Sequence, residues 1–350
     1  MPAAAKMKAA VWYNNRDIRI EELPLQSPGP REMLVKVVSC GICGSDIVEW
    51  YRLPRAPLVQ GHEIGAEVAE VGASVDRFKP GDRVFIAPKV PCGTCLYCRE
   101  GHFPQCTEIK ARLPGGFAEF ILVPEALIQK GAYLLPGSIS YDQSTFIEPL
   151  ACVVRSQRLA GLKEGKSVLV LGCGMSGLLQ IQLAKRKNCT VVATDVAEKK
   201  LEYARSFGAN LAIVADGEVP KRLTDYLHKN ADVVILCTSA LSAVEQAWAC
   251  VDKGGAIVFF AVPGPEKTVT VPVHDFWTKE IRILTSYYCG PPDIQEAMQL
   301  LAGGAIDVEP MITHRFPLED IVKGFQLVMS GEEAVKVIIK PHAQEGNAGS

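Results

Sequence analysis

Residues 167–177 read SVLVLGCGMSG. Four aliphatic residues run straight into Gly172-Cys173-Gly174-Met175-Ser176-Gly177. A short, continuous apolar run marks a strand buried on both faces, whereas a strand with one wet face alternates. Glycines at this spacing allow a tight turn, close approach of the backbone to a pyrophosphate, and close packing of helix on strand. The helix that the pattern predicts next, 176–187, would aim its free N–H groups and positive dipole at that phosphate. Asp195 closes the next apolar run 18 residues after Gly177. A carboxylate there accepts ribose hydroxyls and repels a 2′-phosphate, and no Arg follows it in the next few residues, so NAD is favoured over NADP. A lone G-x-G-x-x-G is weak. With a strand before it, a helix after it and the acidic residue in place, a dinucleotide site outweighs a structural glycine turn.

Working outward, strand-length runs continue to alternate with helix-length segments. Thr190–Thr194, Ala197–Phe207 and Leu211–Val214 follow, then Val233–Cys237, Leu241–Val251 and Ala256–Phe260. This alternation predicts an α/β fold with a doubly wound parallel sheet. Thr238 and Val262, just beyond two of these strands, join Met175 and Ser176 as candidate cofactor residues. After about Ile283 the pattern shifts to a helix, Asp293–Leu301, and a closing strand, Ala334–Ile339; the polar Gln344–Ser350 reads as frayed. Upstream, residues 7–150 carry short β-rich segments (Lys8–Tyr13, Met33–Cys40, Ala66–Val71, Asp82–Ile86) between turn pairs such as Pro80-Gly81 and Gly115-Gly116. These predict a partly closed antiparallel barrel. The expected division is 1–152 and 287–350 for the barrel domain, with 153–286 binding the nucleotide.

Bulk properties exclude several classes. The chain has 350 residues, 48% hydrophobic and 22% charged, with a net charge of −2. Without a clustered basic excess, neither nucleic acid nor an anionic membrane is an expected partner. Apolar runs of strand length fall far short of the roughly 20 residues that span a bilayer. Met1–Lys8 lacks the apolar stretch of a signal peptide, so cytoplasmic residence is expected.

Of the 12 cysteines, four lie within 15 residues as Cys92-x2-Cys95-x2-Cys98-x7-Cys106. In a long chain without a secretion signal, such a cluster is a metal site rather than a disulfide pair. Four thiolates fill a tetrahedral zinc sphere, which makes the site, in a lobe of about 90–107, structural. A second group is dispersed: Cys43, His62, Glu63 and Glu148. Spacing alone does not bring these together, and each residue unaided reads more often as core than as ligand.

At these residues the chain resembles the zinc-containing medium-chain dehydrogenases, in particular the sorbitol and threonine dehydrogenase branch. The resemblance runs through Gly41-Ile-Cys43-Gly-Ser-Asp46, Gly61-His-Glu63, Val71-Gly72, Pro80-Gly-Asp-Arg-Val84, the four-cysteine lobe, Ile147-Glu-Pro-Leu150, the glycine motif and Thr313-His-Arg-Phe-Pro-Leu318. It implies a GroES-like barrel beside a Rossmann domain, and two zinc ions per chain. Cys43, His62 and a carboxylate, Glu63 or Glu148, would hold the catalytic one. Three protein ligands keep a position open for an alcohol, whose lowered pKa favours loss of hydride to NAD. Ser45 is placed to pass on the proton, and Lys200 sits where the family touches the adenosine ribose. Cys40 falls where the family has no ligand and reads as a buried thiol.

Two departures bear on substrate. Sorbitol dehydrogenases carry a His three residues after the relay serine, where this chain has Val48. They also carry an Arg near the polyol hydroxyls, where this chain has Tyr287. Trp50, Phe117 and Tyr287 then suggest an aromatic pocket, with core packing an equal reading for each. The expected substrate is a secondary alcohol or a cyclic or branched polyol rather than sorbitol. A threonine-type hydroxy-amino-acid dehydrogenase and a non-catalytic NAD-binding protein are the alternatives. Relatives imply a homodimer or homotetramer.

Overall fold

A computed structural model describes residues 5–331 and 334–342. The 344–350 tail, expected to fray, lies outside the described residues. The chain forms two compact units, Leu150–Cys289 and Met1–Pro149 with Gly290–Ser350.

In the first, six parallel strands stand in the order Leu211–Val214, Thr190–Asp195, Ser167–Leu171, Ala231–Leu236, Val251–Phe259 and Arg282–Thr285. All five residues of Ser167–Leu171 are buried, which is why the run carries no polar alternation. The connecting helices include Met175–Arg186, Glu198–Ser206, Val219–Leu227 and Leu241–Cys250. Strand order reverses between Ser167–Leu171 and Ala231–Leu236, so their carboxyl ends flank the crevice where open α/β sheets bind ligands. Gly172 leaves one end, and Cys237 and Thr238 leave the other, tied by Cys237 N donating to Leu171 O at 2.8 Å.

The second unit is a GroES-like barrel. Its larger sheet runs Ala132–Leu134, Arg83–Ile86, Glu63–Val71, Met33–Gly41, Lys336–Lys340 and Ile312–Pro317. The strand Met33–Gly41 divides one edge between two partners. Met33–Lys36 pair with Phe120–Val123, while Cys40 and Gly41 pair with Ile339 and Ile338. A strand with a forked edge forces the sheet to curl, and the curl encloses Met33, Val35, Val37, Ile64, Ala66, Val68, Phe325, Val337 and Ile339. One pair departs from the antiparallel expectation: Ile312–Pro317 runs parallel to Lys336–Lys340, joined through the helix Ile321–Ser330. Among the described residues no helix is long and apolar enough to cross a membrane.

Candidate metal and nucleotide sites

Met33–Gly41 ends inside the barrel, and the chain turns immediately into a 3-10 turn, Gly44–Ile47. Cys43 caps that turn: its Sγ accepts from Ser45 N at 3.4 Å, and Asp46 Oδ2 accepts from Cys43 N at 3.0 Å. These reciprocal bonds fix the thiol at the strand end. Ser45 Oγ also lies 3.4 Å from Cys43 Sγ.

Glu63 opens another strand, Glu63–Val71, and His62 immediately precedes it. The turn before them is pinned by Gly116 N donating to both Gln60 O and Gly61 O at 2.8 Å. Gly61 has φ of +91°, and a Cβ there would sit 2.7 Å from Cys40 Sγ and 2.9 Å from Phe117 N, so neither conformation nor space admits a side chain. Cys40 therefore packs beneath the turn, with burial pushing its thiol well above the ordinary range. Gly41 pairs with Glu63 across the sheet and brings the two strand ends into register.

The outcome is a group in which ligand atoms of Cys43, His62 and Glu63 all lie within 4.8 Å of one another. Glu148, buried in the first turn of Ile147–Ala160, is not a member of it. Burial raises the Cys43 thiol, partly offset by His62. Burial also opposes charge on His62, yet the Asp46 carboxylate and Cys43 outweigh it and hold the imidazole well above its usual range. Glu63 is fully buried; Oε2 pairs with the ammonium of Lys336, itself 1% exposed, while Oε1 has no hydrogen-bond partner among the described residues. A soft sulfur, an imidazole and a carboxylate at one point form a donor set that zinc fits.

Three residues of this site were not singled out from sequence: Asp46, Arg52 and Lys336. Asp46 Oδ1 faces His62 Nδ1 at 3.4 Å, the carboxylate–histidine arrangement that orients metal-binding imidazoles. Burial disfavours its charge, but His62 and Arg52 hold it below the usual carboxylate range.

The four-cysteine lobe is also assembled. Ligand atoms of Cys92, Cys95, Cys98 and Cys106 lie within 4.8 Å of each other. Backbone N–H groups aim at the sulfurs: Thr94 and Cys95 donate to Cys92 Sγ at 3.4 and 3.2 Å, and Cys92 and Glu108 donate to Cys106 Sγ at 3.2 and 3.4 Å. The Thr94 and Cys95 donors pull the Cys92 thiol down to about 6, as a thiolate ligand requires. None of the twelve cysteines forms a disulfide bond.

In the parallel-sheet unit, Gly172 has φ of +98° and turns the chain against Thr238. A Cβ on Gly177 would collide with Gly172 O, so this glycine serves helix–strand packing. Gly174 differs: its φ of −68° suits any residue, and a Cβ there would meet nothing within 4 Å. Neither conformation nor packing demands glycine at 174, which leaves approach of a ligand as the physical reason for it. Asp195 Oδ2 accepts from Cys173 N at 2.8 Å and Oδ1 from Ala197 N at 3.0 Å, which locks the carboxylate beside the glycine loop. Met175 and Ser176 open the helix, Lys200 lies half-buried on the next one, and Val262 is half-exposed beyond the strand Val251–Phe259.

Comparison with known proteins agrees with this layout. The alcohol dehydrogenase GroES-like domain profile matches residues 29–133, and the zinc-binding dehydrogenase profile matches residues 177–303. Sorbitol dehydrogenase of Gallus gallus is 32% identical over 97% of this chain and 98% of its own length. The chain belongs to the zinc-binding medium-chain alcohol and polyol dehydrogenases. Among solved relatives, 2R,3R-butanediol dehydrogenase of Bacillus subtilis is 27% identical with a TM-score of 0.84, covering 96% of this chain and 100% of the other. A zinc-binding dehydrogenase from Sinorhizobium meliloti, bound to NADP, is 30% identical with a TM-score of 0.86 over 96% of this chain and 100% of its own.

The aromatic candidates separate in this dehydrogenase. Phe117 is 1% exposed and packs edge-on against Phe325 in the barrel core. Trp50 is half-exposed and edge-on to Tyr51. Tyr287, in the parallel-sheet unit, is half-exposed.

Proposed function

We propose that this dehydrogenase transfers hydride between NAD and a secondary alcohol or polyol, with cyclic or branched polyols favoured over sorbitol, and that it holds two zinc ions per chain. The convergence of Cys43, His62 and Glu63 beside the Ser45 hydroxyl carries the reading. Zinc, when bound by these residues, supplies a Lewis acid that lowers the pKa of an alcohol. Asp46 backs the imidazole through Nδ1 and leaves the other ring nitrogen for the metal. Ser45 offers its hydroxyl as a hydrogen-bond partner for the substrate oxygen. Glu148 remains a candidate for a supporting carboxylate. The four cysteines of the lobe, all used as ligands, would hold a structural ion.

For the nucleotide, Gly174 leaves room for the pyrophosphate and Asp195 presents a carboxylate where an NADP phosphate would be repelled. The NADP-bound relative makes this preference worth measuring directly. Substrate choice rests on Val48 and Tyr287, which take the places of polar residues in the sorbitol dehydrogenase pattern. A homodimer or homotetramer is part of the same reading.

Initial rates of NAD and NADP reduction over sorbitol, butanediols, inositols, branched secondary alcohols and threonine test it. The expected result is NAD reduction, lost on chelation, with a cyclic or branched substrate best. Turnover of sorbitol matching the best substrate would refute the substrate assignment, and chelator-insensitive activity would refute the metal.

A further inference from the structure

Arg52 ends a single helical turn, Glu49–Arg52, and its side chain is 11% exposed. It spends its donors on the two residues that follow Cys43-Gly44. Nε donates to Ser45 O at 3.0 Å, and Nη2 donates to Ser45 Oγ at 2.9 Å and to Asp46 Oδ1 at 2.8 Å. The same Asp46 oxygen faces His62, while the other accepts from Cys43 N, and Ser45 Oγ reaches Cys43 Sγ. One guanidinium therefore touches the partners of both Cys43 and His62, which lie beyond the ends of two different strands.

From this geometry we propose that Arg52 is the positioning residue of the zinc site. It locks the Cys43 turn to the His62 strand through Asp46 and fixes Ser45 as a donor. A guanidinium is planar, delocalised and without an acceptor. It fills one lone pair of the Ser45 hydroxyl, while the hydroxyl itself donates to Cys43 Sγ. The guanidinium cannot take the serine proton onward. Arg52 therefore offers no exit for a proton that Ser45 receives. Ser45 is thereby held in one orientation beside Cys43 Sγ.

The inference rests on the reading that Cys43, His62 and Glu63 hold zinc, and one experiment separates the two. Zinc is titrated from the full-length protein with a competing chelator for wild type, Arg52→Met and Arg52→Lys, with metal counted per chain and kcat and KM for the best alcohol followed in parallel. The four-cysteine zinc is an internal control. Arg52→Met is expected to loosen the barrel zinc by about 10–100-fold, leave the lobe zinc in place and lower kcat more than it raises KM. Arg52→Lys, with donors on a single nitrogen, recovers part of the loss. Barrel-site affinity and kcat within twofold of wild type in Arg52→Met overturn the proposal. Should that variant not fold, the same threshold in Arg52→Lys overturns it. A wild-type protein carrying only the lobe zinc refutes the underlying reading instead.

Discussion

Lys336→Met is the most informative single change that the barrel offers. Its ammonium pairs with Glu63 Oε2; the two side chains are 1% and 0% exposed, and Lys336 also lies 5.0 Å over the Phe146 ring. Gly41 exists at the contact point because a Cβ there would come within 2.6 Å of both partners. Methionine keeps the stem and volume of lysine and removes the charge, so the perturbation is confined to the pair. Removing one partner of a buried ion pair costs about 3–5 kcal/mol, because the surviving charge is left without compensation. Here the survivor, Glu63, has an alternative partner: its carboxylate belongs to the Cys43–His62 group. The loss is therefore expected in full in zinc-free protein and reduced by more than half once zinc is bound. Urea unfolding followed at the barrel transition, with and without zinc, reads both numbers. Replacing both partners, as Lys336→Met with Glu63→Leu, should be milder than Lys336→Met alone, since no charge is stranded. A zinc-free loss below about 1 kcal/mol, or a double variant whose losses simply add, would refute the account of the pair.

Other expectations follow from single contacts. Gly177→Ala should destabilise the nucleotide unit by more than about 2 kcal/mol, since its Cβ meets backbone, whereas Gly174→Ala should melt as wild type and bind nucleotide at least tenfold more weakly; calorimetric melts and NAD titrations separate them. Asp195→Ala should relax discrimination against NADP, and an unchanged NAD/NADP ratio of kcat/KM would exclude Asp195 as the discriminator. Cys95→Ser should lower bound zinc by one per chain and lower Tm with the Cys43 site still loaded, read by metal analysis. Asp142 is held below its ordinary pKa because Lys340, Ser39 and Arg315 outweigh burial. A depressed folded pKa contributes stability above the unfolded value of about 4 and loses it as pH falls further, so Asp142→Asn should cost stability at pH 7 and progressively less below pH 4 in pH-dependent unfolding.

The parallel sheet was most legible where burial was two-sided: Ser167–Leu171, buried throughout, forms with the bounds its apolar run suggested, and the edge strand Leu211–Val214 keeps its bounds with only Ile213 buried. The helix Val219–Leu227 and the strand Arg282–Thr285 escaped because burial is thin there. Only Val219 and Leu223 of the helix are buried, and the edge strand has no buried residue at all. The parallel pairing of Ile312–Pro317 with Lys336–Lys340 carries no local signal, since parallel and antiparallel strands share the same side-chain period.

The site divides along the same physical line. Cys92, Cys95, Cys98 and Cys106 are close in sequence, and spacing alone encodes a tetrahedral sphere. Cys43 lies just past the end of one strand and His62 just before the start of another, and only the pairing of Met33–Gly41 with Glu63–Val71 brings them together, so a resemblance had to stand in for topology. Asp46, Arg52 and Lys336 are a further step removed. Each is an ordinary charged residue whose meaning comes from having no water around it. Lys336, 273 residues from its carboxylate, shows the case most clearly: it opens a strand whose Ile338 pairs with Gly41, and Gly41 in turn pairs with Glu63. Its role is written in the sheet register, and a one-residue slip would turn it to the opposite face. The Lys336 charge at this site was thus set by strand pairing, whereas Asp46 and Arg52 act through contacts only a few residues long and gain their meaning from burial.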